Sequence, residues 1–418
     1  MGDIWSVASY SFFLVCASSV MLWVLLKFRK FDILTIYALF LTLFSISSIL
    51  GITYDPTYRD YGDVDPRVWL VNGISYFSLG VVLLFRDSIR SGDVLPSRHS
   101  SMVFGSCFLF VCLSISLLVM FRVGPDMALA NSKVEMLEDT GLELVILSSF
   151  LPVGFAYAVS IRRFGYAAAL FSIILFLFIF GTRRPLVLAV LAWAAVHYIG
   201  IKFSLLSKWR PIALSVVVAV FVIAGKSFYS TLMRDGFSEI PTWWENMSAT
   251  TLLKGAEFLN TSSILQEVII KDYSVPFWVP LAGVLSATPL PLSLFGLSSS
   301  LFNELFQADL FPNIDYGMAY NPWAEAYAAW GFFGVFVYSL TFPILMILFE
   351  RIYLRFKFSP IGSVFLILAL LLAFWIHRNS AGSIFAYLRN AFYPSVICLL
   401  LAMPVYLLLA RLPPKSRG

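Results

Sequence analysis

Apolar stretches of about 16–27 residues alternate with short polar or charged connections along almost the whole chain, and the rhythm breaks once, over 231–322. A helical crossing of a bilayer needs roughly twenty apolar residues. The pattern therefore predicts eleven spans, at approximately 4–26, 31–53, 68–85, 101–121, 142–161, 166–181, 185–201, 211–230, 323–349, 360–376 and 390–410. The expected fold class is an all-α polytopic membrane protein. Spans 1 to 8 form a membrane domain over 1–230, a large loop occupies 231–322, and spans 9 to 11 complete the membrane domain over 323–418. Loops of this length in a compact chain usually carry binding or chemistry, so the interlude is expected to roof a site. It ends in Tyr320-Asn321-Pro322-Trp323-Ala324-Glu325-Ala326-Tyr327, which runs directly into the ninth apolar stretch.

Inside the interlude, Asn246–Lys271 carries apolar residues at Leu252, Leu253, Ala256, Leu259, Leu265, Val268 and Ile269, a spacing that predicts a helix lying on the surface. Pro276–Gly296 is apolar and of spanning length, but its prolines at 276, 280, 289 and 291 break a helix. Proline-broken backbone at membrane depth has to be covered by protein, so this segment is expected to be interfacial or re-entrant.

Composition agrees with a membrane protein. Hydrophobic residues make up 60% of the chain and charged ones 13%, with a mean hydropathy of +0.85, which excludes a soluble globule. Cys16, Cys107, Cys112 and Cys398 all fall in apolar segments without a CxxC or Cys/His cluster, so neither a disulfide framework nor a zinc site is expected. No internal repeat and no cleavable signal is evident.

Charge sets the orientation. One set of loops holds Lys27, Arg29, Lys30, Arg86, Arg90, Arg98, Arg162, Arg163, Lys202, Lys208, Arg210, Arg351, Arg355, Lys357, Arg411, Lys415 and Arg417. These are 17 of the 29 basic residues against four acids (Asp32, Asp87, Asp93, Glu350), a net of +13; the remaining 12 bases and 20 acids give −8, and the two add to +5. Basic loops stay in the cytoplasm, which places the N-terminus outside and the C-terminus inside.

Several arginines then stand on the outer side. Gly181-Thr182-Arg183-Arg184-Pro185 is a tight turn between two short spans, Arg234 opens the large loop, and Arg378 and Arg389 bracket the last outward turn beside His377. Arginine at membrane depth is costly and points to function, although each could snorkel to headgroups. Guanidinium groups bind phosphate oxygens bidentately, so a phosphate-bearing lipid fits the set. A lipid diphosphate is also a leaving group that needs charge stabilisation more than protonation. The remaining requirement is a base. Glu325 is the first candidate, walled by Tyr320, Trp323, Tyr327 and Trp330, with Tyr320, Asn321, Trp323 and Tyr327 as expected acceptor-sugar contacts; its other role would be a helix cap. His377 is the second. Asp60-Tyr61-Gly62-Asp63-Val64-Asp65 offers an Asp-x-Asp match, a common chance pattern in solvated loops, and no metal or other cofactor is expected.

The Gly-Thr-Arg-Arg-Pro hairpin, the large late loop and the Glu325-Ala-Tyr-Ala-Ala-Trp-Gly331-Phe-Phe-Gly334 run resemble the bacterial O-antigen polymerase (Wzy) family of oligosaccharide repeat-unit polymerases. The resemblance covers the chain as topology and rests on short motifs. It implies a GT-C-like glycosyltransferase in the bacterial inner membrane, with its active site facing the periplasm. Undecaprenyl-diphosphate-linked oligosaccharides would be the substrates, in surface polysaccharide or lipopolysaccharide synthesis. A Wzz-type chain-length regulator and a flippase would be partners, and nucleic acid would not. Arg183 and Arg184 match the family's turn arginines and Glu325 its acidic residue, while Arg378 and Arg389 correspond loosely to outward arginines near the C-terminus. Pro185 departs from the family, where a small residue is usual. Related O-antigen ligases carry a histidine in the large loop, which this loop lacks. A lipid-linked oligosaccharide flippase is the alternative from another class, but repeats of the transporter kind are absent.

The orientation is testable by cysteine labelling. An impermeant thiol reagent added outside should label a cysteine placed at Leu281 and leave Arg355→Cys unmodified; labelling at 355 would invert the late loops.

Overall fold

The computed structural model describes residues 2–26, 31–55, 60–89, 102–129, 133–179, 182–200, 238, 240–245, 257–290, 292–295, 302–314 and 318–410. The chain is predominantly helical. Among the described residues, seven helices are long and apolar enough to cross a membrane: Ile4–Val24, Pro66–Arg86, Val103–Gly124, Glu143–Ser160, Pro322–Arg355, Pro360–Arg378 and Ala381–Leu408. Expected spans at 31–53, 166–181 and 185–201 are shorter helices of 12, 16 and 15 residues. The expected span at 211–230 lies outside the described residues, as does Arg234. Two compact units divide the chain: Met1–Ser91 with Tyr198–Leu348 and Leu370–Arg389, and Gly92–His197 with Phe349–Ala369 and Asn390–Gly418.

In the first unit, α1 (Gly2–Leu26) packs along α4 (Pro66–Ile89). Gly73 allows it: a Cβ there would lie 2.6 Å from the Phe12 ring, and Gly80, two turns on, meets Val20 at 3.6 Å. Helix α2 (Ile33–Phe44) begins at Asp32, whose carboxylate accepts from the Thr35 N–H and hydroxyl, both at 2.7 Å. The other Asp32 oxygen pairs with Arg86 near the end of α4, and both side chains are buried. The expected span 31–53 breaks at Ser45. After it, α3 (Ile46–Leu50) stops on Gly51, whose φ of 69° terminates a helix. The backbone then forms an antiparallel hairpin of β1 (Ile52–Asp55) and β2 (Asp60–Asp63), with Ile52 opposite Asp63. This hairpin departs from the all-helical expectation.

The interlude is packed onto this unit. It contributes α9 (Ile240–Glu245), α10 (Glu257–Ile270), α11 (Val279–Leu285) and α12 (Phe302–Leu310), numbered after the four helices of the second unit described below. Helix α10 is not the surface helix its spacing predicts. Thr261, Ser262, Ser263, Ile264, Leu265, Gln266, Val268 and Ile269 are all buried, against β1, α2, α3 and α4. Apolar residues on more than one face and small hydroxyl side chains between them let it sit inside. Gln266 ties it to the hairpin, donating to the Asp63 carbonyl at 2.7 Å and accepting from the Asp65 N–H at 3.0 Å. Tyr273 donates to Asp309 at 2.7 Å, joining the end of α10 to α12; burial, and then Asp309, holds its hydroxyl above the usual range and so in the donor form. The seven residues of α11, about 10 Å long, are too short to cross a bilayer as a helix.

Helix α13 (Pro322–Arg355) is two helices. Gly331 has φ 62° and ψ −151°, a conformation open to glycine alone among ordinary residues. In a straight helix Trp323 and Ser339 would stand about 24 Å apart, yet the Trp323 indole N–H donates to Ser339 Oγ at 2.9 Å. A Cβ on Gly334 would collide with the Ala326 carbonyl. Pro322–Trp330 therefore folds back along the helix that starts at Phe332. That helix, about 36 Å to Arg355, is long enough to cross by itself. The stretch expected as one ninth span from 323 is thus broken at Gly331.

Helix α14 (Pro360–Trp375) ends in a 3-10 turn at Ile376–Arg378, and α15 (Ala381–Ala410) follows. The second unit contains α5 (Met102–Leu129), α6 (Lys133–Ser160), α7 (Phe164–Ile179) and α8 (Arg184–Tyr198), where Phe108 meets Tyr157 edge to face at 5.7 Å and a Cβ on Gly105 would overlap the Tyr157 hydroxyl.

The Asp32–Arg86 pair yields a stability test. Arg86→Ala leaves a buried carboxylate without its cation and should cost about 3–5 kcal/mol, whereas Asp32→Asn with Arg86→Met should lose much less. Thermal unfolding in detergent measures both; equal losses would show that the pair is solvated.

Candidate functional site

The site is built where the end of the interlude meets the turn between α14 and α15. Tyr320 N–H donates to the Arg378 carbonyl at 2.9 Å. Asn321 then starts the short helix before Gly331, its Oδ1 accepting from Trp323 N–H at 2.9 Å and Ala324 N–H at 3.1 Å. Its amide nitrogen donates to the Thr261 carbonyl of α10 at 2.9 Å. Asn321 and Trp323, expected as sugar contacts, are buried with these polar atoms engaged inside the protein. Tyr320 and Tyr327 are half-buried and meet Phe306 and Phe332 edge-on at 6.1 Å and 5.2 Å.

Glu325 lies one turn into the short helix and is 1% exposed. Its Oε2 accepts from the Ala381 N–H at 2.6 Å. Ala381 is the first residue of α15, where backbone N–H groups lack intrahelical partners and the helix dipole is positive. The carboxylate thus sits at the start of a helix other than its own, which neither sequence alternative for it foresaw. Among the described residues it makes no other hydrogen bond.

His377 is fully buried. Its ring stacks with Tyr37, Phe44 and Trp323 at centroid distances of 5.0, 5.5 and 5.4 Å and interplanar angles of 26°, 20° and 24°. Among the described residues neither ring nitrogen completes a hydrogen bond. His377 also lines a small, mostly polar cavity with Ser45, Asn72, Thr261, Ser262 and Asn321. Helix α10 contributes Thr261, Ser262 and Leu265 to the lining of this cavity.

Two of the expected cations share this unit. The Arg378 guanidinium lies 4.5 Å over the Trp375 ring, and Arg389 Nη1 donates to the Thr288 carbonyl at 3.4 Å. Both are partly exposed. The start of α15 is further pinned by Ser286, whose hydroxyl donates to the Gly382 carbonyl at 2.8 Å. A Cβ on Gly283 would come within 2.8 Å of the Gly382 nitrogen, so α11 and α15 meet backbone to backbone.

Arg183 and Arg184 belong to the second unit. Arg184 is buried in α8, and its Nη2 donates to the hydroxyls of Ser148 and Ser149 (3.0 Å to the latter) and to the Val145 carbonyl at 3.4 Å. Arg183, one residue earlier, is half-buried. In the acidic hairpin Asp65 is engaged by Arg67, through Nε at 3.1 Å and Nη2 at 3.2 Å, and by the Arg67 N–H at 2.8 Å. Among the described residues no three His, Cys, Asp or Glu side chains cluster as metal ligands.

The sequence did not single out the Ala381 N–H, Trp375 or Tyr338, a buried tyrosine of α13. Gly331 was the available signal, since a glycine in mid-helix marks a bend. No protein-family model matches the chain, and neither does any curated protein or solved structure, so its chemistry has to be read from these residues.

The two adjacent arginines should separate on mutation. Arg184→Ala strips a buried donor from Ser148 and Ser149 and should lower stability by about 1–3 kcal/mol. Arg183→Ala should leave it within about 0.5 kcal/mol. Melting temperatures of the purified variants decide; equal stability would mean that the Arg184 contacts carry no weight.

Proposed function

We propose that this chain is a membrane glycosyltransferase that joins oligosaccharide repeat units carried on a lipid diphosphate, working at the outer face of the bacterial cytoplasmic membrane. The observation that carries the reading is Glu325: a carboxylate taken wholly out of water, held by one backbone N–H, and followed along the helix it holds by Arg389, with Arg378 in the turn before. In the reaction an acceptor sugar hydroxyl attacks the anomeric carbon of the donor chain. The carbon–oxygen bond to the diphosphate breaks, and the lipid diphosphate departs with the electron pair. Glu325 takes the hydroxyl proton, and Arg378 and Arg389 stabilise the released charge. The burial of α10 against β1, α2, α3 and α4 supports the view of the interlude as a roof. A Wzz-type regulator and a repeat-unit flippase are the proposed partners.

The test is ladder formation from purified undecaprenyl-diphosphate-linked repeat unit. Glu325→Gln keeps size and hydrogen bonding but cannot take the proton, so extension should fall about 10²–10⁴-fold while the protein still accumulates and melts normally. Glu325→Asp should be intermediate. Arg378→Ala should cost about 10²–10³ in rate, with lysine a partial rescue. Normal ladders from Glu325→Gln would remove the base assignment. Transfer of a single unit without extension would indicate a ligase, and movement of the lipid without bond formation a flippase.

A further inference from the structure

The small cavity of the first unit collects polar groups that the packing around it leaves unused. His377 enters its wall as a fully buried ring whose plane is fixed by stacking on Tyr37, Phe44 and Trp323. Among the described residues neither of its nitrogens completes a hydrogen bond, and the Ala373 carbonyl one turn back can serve one of them at most. Two other wall residues share this condition. Asn72 donates its amide nitrogen to Ser48 Oγ at 2.7 Å, and among the described residues its side-chain carbonyl accepts nothing. The Ser262 hydroxyl of α10, on a residue 5% exposed, makes no hydrogen bond among the described residues either. An unsatisfied polar group in a protein interior is costly, and here three of them line one space. That space has room for about one water molecule.

We propose that this cavity is a binding site for one ordered water, which ties the interlude to the turn before α15. The water oxygen accepts from the Ser262 hydroxyl, and its two protons go to the Asn72 carbonyl and to one His377 nitrogen. Three hydrogen bonds are the usual complement of a buried water. They come from three elements: α10 of the interlude, α4 and the 3-10 turn Ile376–Arg378. Size excludes a larger ligand. No charged side chain lines the cavity, which excludes a desolvated ion. Two direct contacts already surround the site. Tyr320 N–H holds the turn through the Arg378 carbonyl, and Asn321 holds α10 through the Thr261 carbonyl beside Ser262. The water closes this triangle by joining α10 to the turn itself, with His377 as its fixed point.

Solid-state NMR of the full-length protein in lipid bilayers, with isotopically labelled histidines, tests the site. The chain has three histidines, and the His377 signals are those lost in His377→Phe, which keeps a ring in the stack. In the wild type, one His377 nitrogen should receive polarisation from a water that exchanges slowly with bulk solvent. Absence of that transfer overturns the site, and this measurement needs no variant to fold. Ser262→Val replaces the hydroxyl with methyl groups that fill the space, so it should abolish the transfer; Asn72→Leu makes the same test should Ser262→Val not accumulate. Transfer that survives the filled cavity places the water elsewhere and overturns the assignment. Thermal unfolding supplies the second arm. His377→Phe and Ser262→Ala should each lower the melting temperature, and the double variant should lose less than their sum, because both release the same water. Additive losses would show that the two side chains share no water and would overturn the bridge.

Discussion

A carboxylate removed from water has to be given a donor, and the placing of Glu325 turns on that requirement. Its donor is the Ala381 N–H, which is free because it stands at the start of α15. Reaching it requires the chain to enter the unit as a short helix and turn back at Gly331, since a straight helix from Pro322 would carry Trp323 about 24 Å from Ser339. The turn is therefore what sets Trp323 between Ser339 and His377 and Glu325 beside α15. Asn321 anchors the entry by capping the short helix and holding the Thr261 carbonyl.

The same economy of backbone groups explains why the interlude is seated rather than loose. Thr261, Ser262 and Ser263 bring small hydroxyl side chains into a buried helix, and Gln266 closes the edge of the Ile52–Asp63 hairpin through one bond to Asp63 and one to Asp65 just after it. Polar groups are accommodated in this interior because each element that brings them also brings partners. Among the described residues the exceptions include the ring nitrogens of His377, the hydroxyls of Thr53, Ser78 and Tyr338, and the Trp375 indole nitrogen.

Arginines illustrate how position in space outranks position in sequence. Arg183 and Arg184 are neighbours in one motif, but Arg184 turns into its unit onto Ser148 and Ser149 while Arg183 remains half-buried. Arg86, one charge among many in the orientation argument, is the buried partner of Asp32. A guanidinium group can anchor a helix, snorkel or bind phosphate, and composition alone does not distinguish these uses.

What the sequence by itself determined is the membrane character and helical content, because apolar length and charge spacing are one-dimensional properties and the bilayer enforces them. It also singled out Glu325, from the aromatic residues around it and its place at the head of an apolar run. What only the tertiary structure decided is the partner of that carboxylate, the burial of α10, the Ile52–Asp63 hairpin and the division of the Pro322–Arg355 helix. Each of these depends on a contact between residues far apart in the chain: Ala381 with Glu325, Gln266 with Asp63, Trp323 with Ser339. Hydrophobic periodicity is blind to such contacts. It records which residues avoid water, and a helix that crosses a bilayer and one that folds back inside the protein avoid it equally.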